Sequence, residues 1–349
     1  MNICNLCHQW RHKILRKWDD IMGNEIILAG NLIEIIESSR KNALRKVNEE
    51  LIRMYWLVGE YLSVESKNVS FGDKYIDAIA KEIKDVFPGI KGFNRRGLYR
   101  MKQFYELYKD NSIVTPLLTQ LSWSNHLLIM SGCKSNMERE FYMRLCIKEG
   151  YSKRELERQI NSGYYERYML SKEKLLPEPI KGLKENPFLD SYVIEFLDLP
   201  KNFKESDLRK GLIQNMKDFI LEVGKDFTFI DEEYRVQVGG EDFRIDLLFF
   251  HRGLQCLVAF ELKIGKFKPE YISKMDFYLE ALDRQKKKEN ENPSVGMILC
   301  ASKDDEVVEY AMSRTLSPMM VAEYKLQLPD KAVLQKKLQE LINMPLIEE

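Results

Sequence analysis

No stretch of this 349-residue chain is both uncharged and apolar for the length that a bilayer demands, so a transmembrane helix is excluded by pattern. Its first residues lack the basic-then-apolar layout of a secretory leader. Neither sign of charge is in excess. The 54 basic side chains are balanced by 54 acidic ones, so any surface for a polyanion must come from local segregation of charge. No internal repeat is evident. Cysteine is scarce and scattered: residues 4, 7, 133, 146, 256 and 300 fall mostly in apolar contexts, without the spacing of a disulfide framework. That usage predicts reduced thiols in a cytoplasmic protein. The length suggests about two domains with ample core.

Against that ordinary background, two apolar runs carry carboxylates where a buried strand should not. Asp246 lies inside Phe243–Phe250, which is otherwise rich in Ile, Leu and Phe, and Glu261 ends the run Leu257-Val-Ala-Phe. A buried carboxylate is costly unless it is paired or coordinated. His251-Arg-Gly253 between the runs is turn-compatible, with Gly253 free to take positive φ, so the two read as a hairpin. Alternation places Glu261 and Lys263 on the same side of their strand. Two carboxylates and a lysine form a hard-oxygen site for Mg²⁺, with Mn²⁺ able to substitute, and this points to metal-assisted hydrolysis of a phosphodiester. Lys263 is then placed to orient water or to offset charge growing on the phosphorane. The competing reading is structural: Asp246 pairs with Arg244 or Arg235, and Glu261 with Lys263 or Lys266.

Asp246 followed by Glu261-Leu-Lys263 resembles the signature of the PD-(D/E)XK nuclease superfamily, which includes restriction endonucleases and Holliday-junction resolvases. The surrounding segments Phe219–Gly224, Tyr234–Gly240, Glu261–Lys266 and Asn292–Cys300 resemble the YhcG-like bacterial family, and the likeness runs from about Asn24 onward. The resemblance implies a two-domain α+β protein. An all-α N-terminal domain with a helix-turn-helix-like hairpin precedes a C-terminal α/β restriction-endonuclease-like core of order αβββαβ. It further implies a Mg²⁺-dependent nuclease acting on DNA; the motif does not encode a substrate preference, and branched or processed DNA in repair, recombination or defence is the candidate substrate class. Members of the superfamily often add an acid from the first core helix. Glu222 is the candidate metal ligand, because Asp207-Leu-Arg209 has arginine where Leu-Glu is expected.

The expected organisation is an N-terminal extension over 1–23, a helical, DNA-binding domain over 24–170, a Pro- and Lys-containing linker over 171–188, and the nuclease domain over 189–349. In the extension, Cys4, Cys7, His8 and His12 superficially suggest haem or zinc ligation. The context supports neither, and Met22 is a candidate start. Helical spacing of Ala43, Val47, Leu51, Tyr55 and Leu62, with Leu44 and Val58 beside them, predicts a core-facing stripe. A helix over 74–87 should bury Ile76, Ile79, Ala80, Ile83 and Val86 or Phe87. It is followed by a glycine-containing turn and a second helix from Arg95 capped by Asn94. Arg95, Arg96, Arg100 and Lys102 would contact DNA phosphates from that second helix. Lys266 and Lys274 are further phosphate-contacting candidates. Trp56 and His126 are expected to be structural.

Two function classes follow: a metal-dependent DNA endonuclease, or a nucleic-acid-binding or partner-recruiting protein with a weak or inactive nuclease fold. A homodimer is expected, because cutting both strands of a duplex usually needs two sites.

Overall fold

The computed structural model describes residues 3–68, 73–112, 115–171 and 187–342, with side chains described over 29–66, 75–112, 115–171 and 187–340. The side chains of Cys4, Cys7, His8 and His12, and nearly all of the expected linker, lie outside the described residues. The chain divides into two compact units, Met1–Leu127 and Leu128–Glu349. Among the described residues no helix is long and apolar enough to cross a membrane.

The first unit is helical: α1 (Ile3–Asn68), α2 (Asp73–Val86), α3 (Arg95–Tyr108), α4 (Thr115–Leu118) and the start of α5 (Trp123–Gly132). Asn94 caps α3, its side chain accepting the Gly97 N–H at 2.9 Å. Leu98, Met101, Phe104 and Tyr108 turn inward from α3. They meet Ile52, Tyr55 and Leu62 of α1 and the edge-packed ring of Trp56. Gly59 permits this approach, because a Cβ there would lie 2.1 Å from the Met101 carbonyl oxygen. His126 is buried against the Phe104 ring with Nε2 2.8 Å from the Leu118 carbonyl. Burial lowers its pKa to about 4, so it is a neutral packing group at pH 7. Two expectations of burial fail here. Leu44 and Val47 of the α1 stripe are 70% and 66% exposed, and Val86 and Phe87 at the end of α2 are also exposed. Helical periodicity identifies an apolar face but does not say what covers it.

The second unit begins with the end of α5 and three helices, α6 (Asn136–Glu149), α7 (Lys153–Asn161) and α8 (Tyr164–Ser171). Ser152 and Glu155 form a capping box at α7. A six-stranded mixed sheet follows, in order β1-β6-β5-β4-β3-β2. Its strands are β1 (Ser191–Val193), β2 (Phe227–Val238), β3 (Glu241–His251), β4 (Cys256–Lys266), β5 (Val295–Ser302) and β6 (Met319–Lys325). The β2–β3 and β3–β4 pairs are antiparallel, and β4, β5, β6 and β1 run parallel. Helices α9 (Glu205–Gln214) and α10 (Met216–Val223) precede β2, α11 (Glu270–Gln285) links β4 to β5, α12 (Asp305–Met312) precedes β6, and α13 (Lys331–Ile342) follows it. The expected αβββαβ order is present. Helices α9 and α10 meet at Asn215, and β2 carries a bulge between Phe229 and Asp231.

One sheet face packs Leu247 and Phe249 of β3 and Phe260 and Leu262 of β4 under Leu208, Leu212 and Phe219 of α9 and α10. The other packs Ile245, Leu248 and Ala259 against Ile272, Met275 and Leu279 of α11. In the β3–β4 turn the positive φ belongs to Gln255 (52°), not Gly253. A Cβ at Gly253 would sit 3.3 Å from the His251 ring, a tight contact that glycine avoids.

Candidate active site

Asp246 stands where the sheet's pairing lapses. The β3–β4 ladder runs from His251↔Cys256 to Leu247↔Phe260 and ends one residue short of Asp246. On the other side, β2 pairs Glu232↔Leu247 and Tyr234↔Ile245, skipping the position between them. The skipped β2 residue, Glu233, has φ 47°, a left-handed conformation that is strained for a residue with a Cβ. Ile245 and Leu247 consequently join cores on opposite faces, although residues two apart in a regular strand share a face. Freed from the ladder, the Asp246 carboxylate reaches across and Oδ2 accepts the backbone N–H of Leu262 at 2.8 Å.

Glu261, on β4, is almost wholly buried. Its Oε1 receives two ammonium groups, Lys263 Nζ at 2.8 Å and Lys274 Nζ from α11 at 2.5 Å. Its Oε2 is buried with no hydrogen-bond partner. Lys263 also binds Glu205 Oε2 of α9 at 3.0 Å and lies 5.3 Å from the Tyr271 ring centroid. Burial, followed by the negative charge of Glu261, pushes Asp246 up to about 6. Burial lowers Lys263, but its hydrogen bond and attraction to Glu261, joined by Glu205, outweigh this and hold it well above the ordinary lysine value. The same competition raises Lys274. The cluster is thus two mutually repelling carboxylates, one with an unsatisfied buried oxygen, flanked by firmly protonated amines.

Residues 185–339 match the family described as the YhcG PDDEXK nuclease domain, and residues 31–167 match the DUF1016 N-terminal domain. A protein of Escherichia coli (strain K12) named "Putative nuclease YhcG" is 30% identical over 346 residues, covering 88% of this chain and 92% of that one. The chain belongs to the YhcG family. Among solved structures, a repair endonuclease from Pyrococcus abyssi matches with 16% identity over 37% of this chain and 50% of its own, at a TM-score of 0.25. The structure titled EndoMS-dsDNA2 complex matches with 15% identity over 38% of this chain and 48% of its own, at a TM-score of 0.26. The chain spans about half the length of these two. The family carries a PDDEXK nuclease domain, matched here by residues 185–339 within the second unit, and with the helical first unit the chain has a two-domain α+β organisation.

In this YhcG-family chain the expected third acid is not brought to the cluster. Glu222, the candidate metal ligand, is fully buried on α10 but is not brought to Asp246 and Glu261. Its Oε1 accepts Arg167 at 2.6 Å and the Val193 N–H at 2.7 Å, and its Oε2 accepts Arg158 at 2.9 Å. Those partners sit on α7, α8 and β1, at the far edge of the sheet from β3. Both Glu222 oxygens are occupied by guanidinium and amide donors. The acid that α9 contributes is Glu205. Sequence reasoning misses it because it precedes the expected position by a turn, although the i, i+4 spacing from Arg209 puts both on one helix face. Arg209 lies 3.6 Å from Asp246 Oδ1 and 3.2 Å from Glu233. Among the described residues no group of three or more His, Cys, Asp or Glu side chains converges as a metal set.

The donors present do fit a hard divalent cation. Glu261 Oε2 is a buried acceptor with nothing to accept, and a cation beside it and Asp246 would relieve the repulsion that raises Asp246. The structural alternative holds only in part. Glu261 does pair with Lys263, whereas Arg235 pairs with Asp242 and Arg244 with Glu233, neither with Asp246. Of the phosphate-contacting candidates, Lys274 is drawn into the cluster, and Lys266 is exposed near Asp304 at 3.9 Å. Arg95 and Arg96 are exposed at the start of α3, with Arg95 3.5 Å from Asp77. Arg100 and Lys102 are half-buried, with Lys102 3.7 Å from Glu106.

Proposed function

We propose that this protein is a Mg²⁺-dependent DNA endonuclease, with Mn²⁺ able to substitute, in which Asp246 and Glu261 hold the ion and Lys263 stabilises the reacting phosphate. The observation that carries this reading is the orphaned, buried Oε2 of Glu261, whose carboxylate is near enough to Asp246 to raise its pKa. Bound there, the ion would supply Lewis acidity for the phosphate and lower the pKa of a water. Lys263, held protonated by Glu261 and Glu205, is a donor and not a general base. It serves to hydrogen-bond a phosphate oxygen or position the attacking water. Arg209 keeps a positive charge at the open side of Asp246. Arg95, Arg96, Arg100 and Lys102 of α3, a helix-turn-helix-like element with α2, would grip the DNA backbone, and Lys266 and Lys274 would add contacts. Branched or processed DNA in repair, recombination or defence is the substrate class this reading favours. Buried reduced cysteines at 133, 146, 256 and 300 fit a cytoplasmic setting, and the working form is a homodimer.

The test is incubation of the purified chain with linear, nicked, branched and single-stranded DNA and with RNA, in Mg²⁺ or Mn²⁺, beside Asp246→Ala and Lys263→Ala. Metal-dependent cleavage of DNA lost in both variants is the expected result. Equal inertness of all three proteins on every substrate sinks it. One observation favours a second reading, a DNA-binding or partner-recruiting protein of weak activity: α9 presents Arg209, not an acid, to Asp246. DNA binding without cleavage in the same assay would select it.

A further inference from the structure

The exposed part of α1 carries an apolar seam that no described residue of its own chain covers. Ile33, Ile36, Ala43, Val47, Met54, Leu57, Tyr61 and Val64 recur at alternating three- and four-residue steps, and all but the half-exposed Met54 are exposed. Arg40 and Glu50 occupy the two steps that the apolar residues leave out, so the a and d positions of a heptad run unbroken for about 47 Å at 1.5 Å per residue. The seam lies opposite the face that binds α3, where Ile52, Tyr55 and Leu62 are buried. A helix this exposed over residues 29–45 gains little from its own chain, and isolated helices are marginal in water.

We infer that this seam is a self-association face whose occupant is α1 of a second copy of this chain, packed antiparallel. Charge decides the direction. In a parallel pair Arg40 would meet Arg40 and Glu50 would meet Glu50 within the seam. In an antiparallel pair with its two-fold axis near Arg45, Arg40 of each copy faces Glu50 of the other. The same register layers Ile33 on Leu57, Ile36 on Met54 and Ala43 on Val47, each an a position against a d position. It also brings Leu44, 70% exposed, against its own copy across the axis. No ion pair to Arg40 forms among the described residues, and Glu50 has only an exposed contact to Arg53 at 3.5 Å, so both are available to a partner. The inference is independent of the nuclease reading, since none of these residues belongs to the cluster around Glu261.

The experiment is the mass of the full-length chain by light scattering and sedimentation, with helix content checked by circular dichroism. Wild type is expected at twice the 41.3 kDa chain mass. Leu57→Asp should weaken association at least about a hundredfold. Arg40→Glu and Glu50→Arg should each weaken it about tenfold or more by placing like charges together. The double variant Arg40→Glu/Glu50→Arg should return to within about threefold of wild type, because the two residues form one layer. A monomeric wild type overturns the proposal. So does a dimer indifferent to Leu57→Asp, or charge reversals whose effects add in the double variant instead of cancelling.

Discussion

Two buried glutamates in the second unit look alike by burial and differ in every other respect. Glu222 has both oxygens occupied, by Arg158, by Arg167 and by the Val193 N–H. Glu261 crowds two ammonium groups onto one oxygen and leaves the other without a donor. A buried charge that only holds a fold together is best served by complete pairing. One left half-satisfied near a second carboxylate keeps an acceptor for an incoming cation, as the proposed function requires. The contrast extends to pH. Burial would raise Glu222, but Arg167 and Arg158 outweigh it and hold its carboxyl below the usual range, whereas burial and Glu261 together raise Asp246.

The comparison can be broken most severely at the Glu261 site. Replacing Lys263 or Asp246 by Ala should lower the metal-dependent cleavage rate by about 10²–10³-fold or more while the protein stays folded, as read by single-turnover assay and circular dichroism. A variant that cuts at the wild-type rate would place the chemistry elsewhere. At the Glu222 site the effects should exchange. Arg167→Ala leaves a buried carboxylate short of its partner and should destabilise the protein by about 3–5 kcal/mol in urea unfolding. Glu222→Gln should also destabilise but spare the activity of the folded fraction. Loss of cleavage without loss of stability in Glu222→Gln would erase the distinction.

A pH series sharpens the contrast at smaller amplitude. With its folded pKa raised to about 6, Asp246 contributes stability that is fully present below its unfolded value near 4 and is lost as pH rises through about 6. The effect is on the order of 2 kcal/mol in metal-free protein. Mg²⁺ should reverse this trend, its stabilisation growing above about pH 6, and Asp246→Asn should remove both effects in thermal melts. Glu222 has the opposite sign. Its depressed pKa contributes stability above the ordinary carboxylate range that is lost as pH falls through the folded value. The smallest effect belongs to α3. Each of Arg95, Arg96 and Arg100 that contacts a phosphate should lower the slope of log affinity against log salt by about 0.9 when replaced by Ala. An unchanged slope in the triple variant would remove α3 from the DNA surface.

Much of the second unit is legible from residue order, because strand alternation and cap residues are local signals. Asp246, Glu261 and Lys263 stand out since carboxylates in apolar strands have few structural excuses. Glu222 misleads for the same reason: a lone acid in an apolar helix carries no mark of which partner satisfies it. Arg158 and Arg167, which do so, lie 64 and 55 residues away in sequence. Glu205 is not legible, because its part in the cluster depends on where α9 crosses β4.

The sequence by itself carried most of the α and β pattern through periodicity, singled out the two carboxylates and the lysine by residue type, and carried the family through the resemblance of its motifs. Only the tertiary structure decided which buried acid is satisfied and which is not. It alone showed that the ladder lapses at Asp246 and that the α1 stripe splits into a packed face and an open seam. These are matters of what lies opposite a side chain in space, and a linear order of residues does not contain that neighbour.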